Sequence, residues 1–353
     1  MGRPTLEEVR ELSGWRPELG VLSVYLGFDA ADRTGAWRTE LRNGLEAILD
    51  ANKEVVHGHR VALRETAKRV LDRFEDGDLR PPPRGEAGFV AVSEKGGDER
   101  WWGSGAAPVA DACVEYGPEP AVAPLLALCC HDAACGVALV SSERVRLLSC
   151  VEGTLEELED WELSITSLDW RERKSDSASG HDQFEERLEH NRHRFLAECG
   201  GLAARALEAG GLEQAVVFSS AKDVEHFSAG FGSARAKPAI GGEQDLISVP
   251  KGRLGEIVAA AIERLDAERD RAAVGRALEE ARGGARGSAG IQETREALLE
   301  GRVEHLVFDA TIGEEAEQLT RAALAGGAQV TIVRGEPAEP LAEAEGVAAI
   351  LRY

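Results

Sequence analysis

Between Arg171 and His193 the chain gathers the residue types best suited to polar chemistry. Gly180-His181-Asp182-Gln183 sets a glycine, an imidazole, a carboxylate and a primary amide within four positions. A backbone loosened by glycine could place the Gln183 amide beside a water molecule. The same residues also read as a helix start, with Asp182 as cap, Gln183 in the first turn and Glu185 completing a capping pair; that reading explains all of them except His181. Glu186 and His190, like Glu189 and His193, are spaced four apart, which puts each pair on one face of a helix. Such pairs can bind a metal or move protons, but a solvated, charge-balanced face is the commoner use. Directly upstream, Arg171-Glu172-Arg173-Lys174 sets three cations against one acid. It follows a stretch, 151–170, that holds Glu152, Glu156, Glu157, Glu159, Asp160, Glu162 and Asp169 with no Lys or Arg.

Two other clusters carry less chemistry than their composition suggests. Cys129-Cys130-His131-Asp132-Ala133-Ala134-Cys135 is crowded beside the apolar run Leu125-Leu126-Ala127-Leu128, whereas a zinc site needs four suitably spaced ligands. These cysteines read as buried small residues, and neither a metal nor a cofactor is expected. The glycine-rich segment Gly283–Gly290 lacks the Gly-Lys-Ser/Thr ending that holds phosphate and magnesium, so it reads as a linker.

The 353 residues are enough for two or three domains, and the net charge of −22 excludes a polybasic binder of bare nucleic acid. No DNA partner is expected, although contact with RNA through one small basic tip stays open. There is no apolar run of about 18 residues and no basic start followed by an apolar core. A cytoplasmic protein without a membrane partner is the expectation.

The elements that must position these residues fall into three blocks. The first has a strand over Val21–Gly27, helices near 36–52 and 61–74, and a strand pair, Ala87–Val92 and Arg100–Trp102, across Lys95–Asp98. The second opens with a hairpin, Gly136–Val140 and Val145–Ser149. A polar, mobile loop follows over Lys174–Gly180, then a long helix from about Gln183 with the stripe Phe184, Leu188, Phe195, Cys199, Leu202 and Ala206. A strand over Gln214–Phe218, a short helix near Val224, a strand over Leu246–Val249 and a helix over Leu254–Leu265 complete it. In the third, helices Ile291–Leu299 and Glu314–Leu324 alternate with strands His305–Phe308, Gln329–Val333 and Val347–Leu351, the pattern of an α/β sandwich.

This order resembles the archaeal and eukaryotic class 1 release factors and Pelota, and specifically their bacterial relatives. Val21–Leu26 and Gly88–Val92 look like first-domain strands of that family, and Gly136–Val140 like the start of its central domain. The long helix, with Phe184 and Arg192-His193 at family-like spacing, is the closest local match; Leu212–Ser219, Ile291–Glu304 and Gly346–Tyr353 extend the likeness. The resemblance implies an α/β (α+β) chain of three domains: an N-terminal α/β domain over 1–134, a central mixed-sheet domain over 135–270 and a Pelota-type α/β sandwich over 271–353. It implies a ribosome-associated factor that meets rRNA and tRNA, with a translational GTPase as delivery partner. Arg171, Arg173, Lys174, Arg192 and His193 would then face RNA.

Two departures limit it. Where such factors carry the Gly-Gly-Gln triplet that hydrolyses peptidyl-tRNA, this chain has Ser177-Ala178-Ser179, and the Asn-Ile-Lys-Ser and Tyr-x-Cys-x-x-x-Phe stop-codon motifs are absent. The expectation is an A-site factor that reads no stop codon and acts in ribosome rescue or hibernation. The alternative is a peptidyl-tRNA hydrolase with Gly180 and Gln183 near the ester and His181 as proton carrier. A second alternative is a protein adaptor that does not act on ribosomes.

Overall fold

The computed structural model describes residues 4–27, 36–75, 85–103, 113–126, 134–151, 153–163, 178–284 and 286–353. These carry three sheets with helices around them, a mixed α/β architecture. The chain folds as two compact units: Met1–Asp132 together with Ala267–Tyr353, and Ala133–Asp266.

In the first unit β1 (Val21–Gly27), β2 (Gly85–Ala91), β3 (Glu99–Gly103) and β4 (Cys113–Gly117) form an antiparallel sheet in the order β3-β2-β1-β4. Side chains alternate across a strand, and β1 is buried on both faces, which is why it reads as one apolar run. Leu22, Val24 and Leu26 pack with helices α2 (Ala36–Ala51) and α3 (His57–Glu75). Val21 and Tyr25, from the opposite face, join a core with α1 (Leu6–Ser13) and with residues from the end of the chain.

That end is an α/β sandwich. Strands β10 (Gly287–Ala289), β11 (Val303–Asp309), β12 (Gln329–Val333) and β13 (Val347–Leu351) lie in the order β10-β13-β11-β12, and only the β11–β12 pair is parallel. Leu298, Leu319 and Ala323, from α7 (Ile291–Leu299) and α8 (Glu314–Ala325), contribute to the core shared with β1. Val274, Ala277 and Leu278 of α6 (Lys251–Gly283) pack with the 3-10 helix Glu336–Ala344 in a second core of this sandwich. The first and last blocks are also tied by charge. Glu317 of α8 accepts hydrogen bonds from the Val122 and Ala123 amides at 3.0 and 2.8 Å, and Arg321 donates to Glu317, Glu119 and the Pro120 carbonyl.

The second unit is built on a mixed five-stranded sheet in the order β7-β6-β5-β8-β9: β5 (Cys135–Val140), β6 (Arg144–Val151), β7 (Thr154–Glu162), β8 (Gln214–Phe218) and β9 (Lys237–Gly242). One face carries the long helix α4 (Ala178–Ala209) and the short α5 (Ala221–Ala229); the other carries Leu254, Val258 and Ala261 from the first turns of α6.

Several expectations shift. Leu246–Val249 is not a strand: Leu246 is apolar because it plugs the core beside Leu254, and the outer strand is Lys237–Gly242, whose Pro238 an edge position tolerates. The acidic stretch after Val151 forms the edge strand β7, where Arg144 and Arg146 of β6 pair with Asp160 and Glu157 at 2.6 and 2.9 Å. The long helix starts at Ala178, so Asp182 and Glu185 lie within it and do not cap it. Among its described side chains Leu196, Cys199, Ala203, Ala204 and Leu207 are buried; of the stripe that periodicity suggested, Cys199 is buried, Phe195 and Ala206 pack at the border of that core, and Leu202 is 39% exposed. Gly283–Gly290 is more than a linker, since Gly287–Ala289 pairs with β13. Cys135 and Cys150 are buried and face each other across β5 and β6, Cys199 is buried, and Cys113 is half-buried; Cys129 and Cys130 lie outside the described residues.

One contact sets the spacing of α4 and α5. A Cβ built on Gly200 would lie 2.0 Å from the Phe227 carbonyl oxygen, and one on Gly230 2.1 Å from that of Ala197. Because backbone meets backbone, no side chain can swing aside. Gly200→Ala should therefore destabilise the protein by about 1–3 kcal/mol through overpacking. Gly275, exposed within α6 with open space around it, sets the contrast. Gly275→Ala should stabilise by about 0.5–1 kcal/mol by removing glycine's chain entropy. Urea denaturation of both variants checks the opposite signs, and equal effects would mean that the α4–α5 approach is not tight.

Candidate nucleic-acid interface

The long helix is placed on its sheet by Leu196, Cys199, Ala203 and Leu207, which meet Ala138, Val140 and Leu147. The short helix α5 is begun by Ser220, whose side chain accepts from the Asp223 amide, and is anchored by Val224 and Phe227. With the glycine crossing holding the two backbones together, side chains about two and three turns toward the start of α4 must meet those of α5. The His193 and His226 rings stack, with centroids 3.7 Å apart and planes 22° from parallel. Lys222 of α5 pairs with Glu189 of α4, and this ammonium holds the Glu189 carboxyl below its usual range. Arg192 reaches the other way and pairs with Glu143, in the turn between β5 and β6. Its Nε is buried without a hydrogen-bond partner.

The result is a patch of half-buried and exposed groups in which His193, Lys222 and His226 meet between α4 and α5, with Arg192 next to His193 on α4, offset by Glu143 and Glu189. Stacked face to face, the imidazoles offer their edges as hydrogen-bond partners. Guanidinium, ammonium and ring nitrogens at a surface suit contacts to phosphate and sugar oxygens, which position a nucleic acid without reading its sequence. Among the described residues no group of three or more His, Cys, Asp or Glu is arranged to hold a metal ion, and Glu189 pairs with Lys222.

The sequence candidates separate into three groups. His193 is brought against His226 of α5, and Arg192 beside it pairs with Glu143 in the β5–β6 turn. Gly180, His181 and Gln183 belong to the first turns of α4 by backbone. Arg171, Arg173 and Lys174 lie outside the described residues, as does the loop expected to be mobile over its positions 174–177. The patch lies about 20 Å along the helix axis from Ala178, at 1.5 Å per residue. Sequence reasoning missed Lys222 and His226. Their four-residue spacing on a short helix was the available signal, but nothing local says which helix they face.

No helix among the described residues is long and apolar enough to cross a membrane. Sequence comparison with curated proteins returns no match. Among solved structures, the chain is similar to an archaeal translation termination factor, at 19% identity over 99% of each chain with a TM-score of 0.28. It is also similar to Archaeoglobus fulgidus Pelota, at 13% identity over 100% of this chain and 94% of that one, TM-score 0.37. A translation termination-like factor of S. cerevisiae, involved in RNA quality control, matches at 10% identity over 76% of this chain and 80% of that one, TM-score 0.46. Residues 120–237, which hold β5 to β8, the long helix and the patch, match the family model for bacterial archaeo-eukaryotic release factor family 10. The central segment, 120–237, is thus similar to that bacterial release-factor family.

Proposed function

We propose that the protein is a cytoplasmic, ribosome-associated translation factor that occupies the A site without reading a stop codon, in rescue of stalled ribosomes or in hibernation. The observation that carries this reading is the family match over residues 120–237, the segment that builds the long helix and its basic patch. In this reading Arg192 and His193, joined by Lys222 and His226, contact phosphates of rRNA or tRNA part way along the helix. Arg171, Arg173 and Lys174, placed in sequence just before the helix, make further RNA contacts nearer its start. A chain with a net charge of −22 would meet RNA through these confined groups only, its remaining surface being repelled. Delivery by a translational GTPase belongs to the same reading.

Hydrolysis is not assigned. The Gly-Gly-Gln triplet is replaced by Ser177-Ala178-Ser179, and a helical backbone at Gly180 to Gln183 lacks the looseness that positioning a water would draw on. The codon-reading motifs are likewise missing from the first block.

Co-sedimentation with ribosomes carrying a stop codon, a sense codon or no codon in the A site should give equal binding in all three states. Binding only at stop codons would replace this reading with termination. Replacing Arg171, Arg173 and Lys174 by Ala should weaken binding and flatten its salt dependence by about two units of log–log slope, at roughly 0.7–0.9 for each phosphate that is no longer neutralised. Unchanged binding at every salt concentration would remove those residues from the interface. Ribosomes with labelled peptidyl-tRNA should show no puromycin-independent release; release that disappears in Gln183→Ala would establish the hydrolase instead.

A further inference from the structure

The unit formed by the first and last blocks contains a cavity of about 880 Å³ that the ribosomal reading does not use. Ligand sites run to about 300–1,000 Å³, so the space is sufficient for a small organic molecule. Three of the residues that α2 turns toward it are small, Gly44, Ala47 and Ala51, beside Ile48. Gly44 abuts Val114, where a Cβ would come within 2.9 Å of a methyl, and Ala47 and Ala51 remain exposed on a face that packing against a neighbour would fill with larger side chains. Phe308 and Ile332, at the carboxyl ends of the parallel strands β11 and β12, line the opposite side. The crevice beyond the carboxyl ends of parallel strands is where open α/β sheets bind ligands.

The charges in the cavity are unequal in availability. Glu317 is engaged by two backbone amides and by Arg321. Arg334 follows β12 directly, is exposed, and has no ion pair among the described residues. Close by in the lining is Gly313, which begins α8 without a side-chain cap, so the positive end of that helix adds to the field of Arg334. Glu115, exposed in the lining contributed by β4, would repel a second anionic group on the same molecule.

We propose that this cavity binds a small organic monoanion: an apolar body of one or two rings, seated between the small face of α2 and Phe308 with Ile332, carrying one anionic group directed at Arg334. The site is independent of the RNA-facing patch and does not rest on the ribosomal reading.

The full-length protein is titrated with 8-anilinonaphthalene-1-sulfonate and, separately, with its uncharged parent N-phenyl-1-naphthylamine. The sulfonate should saturate at one site per chain. Arg334→Glu should weaken the sulfonate at least tenfold and leave the uncharged parent within twofold. Ala47→Trp, which fills the cavity from an exposed helix position, should abolish both without lowering the unfolding temperature. Absent or unsaturable binding of the sulfonate, or equal sulfonate affinity in the wild type and Arg334→Glu, would overturn the proposal. If Ala47→Trp does not fold, the comparison of the two probes on Arg334→Glu decides it alone.

Discussion

The candidate interface depends on two glycines. Gly200 on the long helix and Gly230 at the end of the short one let backbone meet backbone, where any Cβ would press within about 2 Å of a carbonyl oxygen. Side chains placed one to three turns away then have little freedom. His193 must lie against His226, and Lys222 must find Glu189. A looser crossing would leave the same residues present but unassembled, because ring stacking and a surface ion pair are each too weak to hold two helices together. The strong term is burial: Leu196, Cys199, Ala203 and Leu207 against the sheet, with Phe227 behind them. The patch is thus a consequence of packing, and this is what makes it a positioned surface and not a scatter of charges.

A second constraint acts on the first and last blocks. β1 is apolar on both faces because it serves two cores, one with α2 and α3 and one shared with the C-terminal sandwich. Glu317 reinforces that joint by satisfying two amides that would otherwise be buried without partners. The sandwich accordingly has one core of its own, with α6 and the 3-10 helix, and one that it shares with β1. The cavity arises in this same unit, where α2 presents Gly44, Ala47 and Ala51 beside Ile48.

Much of this was legible in the sequence, for identifiable reasons. Val21–Gly27, the hairpin across Lys95–Asp98 and the helix–strand alternation after Gly290 have strong periodicity and clear turn residues. The elements that were missed lack one or the other. β7 is a strand in which five of nine side chains are acidic, so its alternation is hidden by charge that Arg144 and Arg146 balance from the neighbouring strand. β9 carries proline and three small residues and is held by pairing to β8, not by apolar pattern. On the long helix, Cys199 lies on both the periodic stripe and the true inward face and Phe195 and Ala206 pack at its border, but Leu202 turns outward, because alanines bury there as readily as leucines. At the site, Arg192 and His193 were found through family-like spacing. Lys222 and His226 could not be, since only the glycine crossing determines that α5 presents them to α4.

The central claim, that this is an A-site factor indifferent to the codon, is most directly tested by imaging the protein bound to ribosomes. A cryo-electron microscopy reconstruction of the full chain on ribosomes with a vacant A site should place the helix Ala178–Ala209 in that site. Arg192, His193, Lys222 and His226 should lie against RNA backbone, with the same density whether a stop or a sense codon is presented. Density outside the A site, or a patch turned away from RNA while the chain is bound there, would contradict the account.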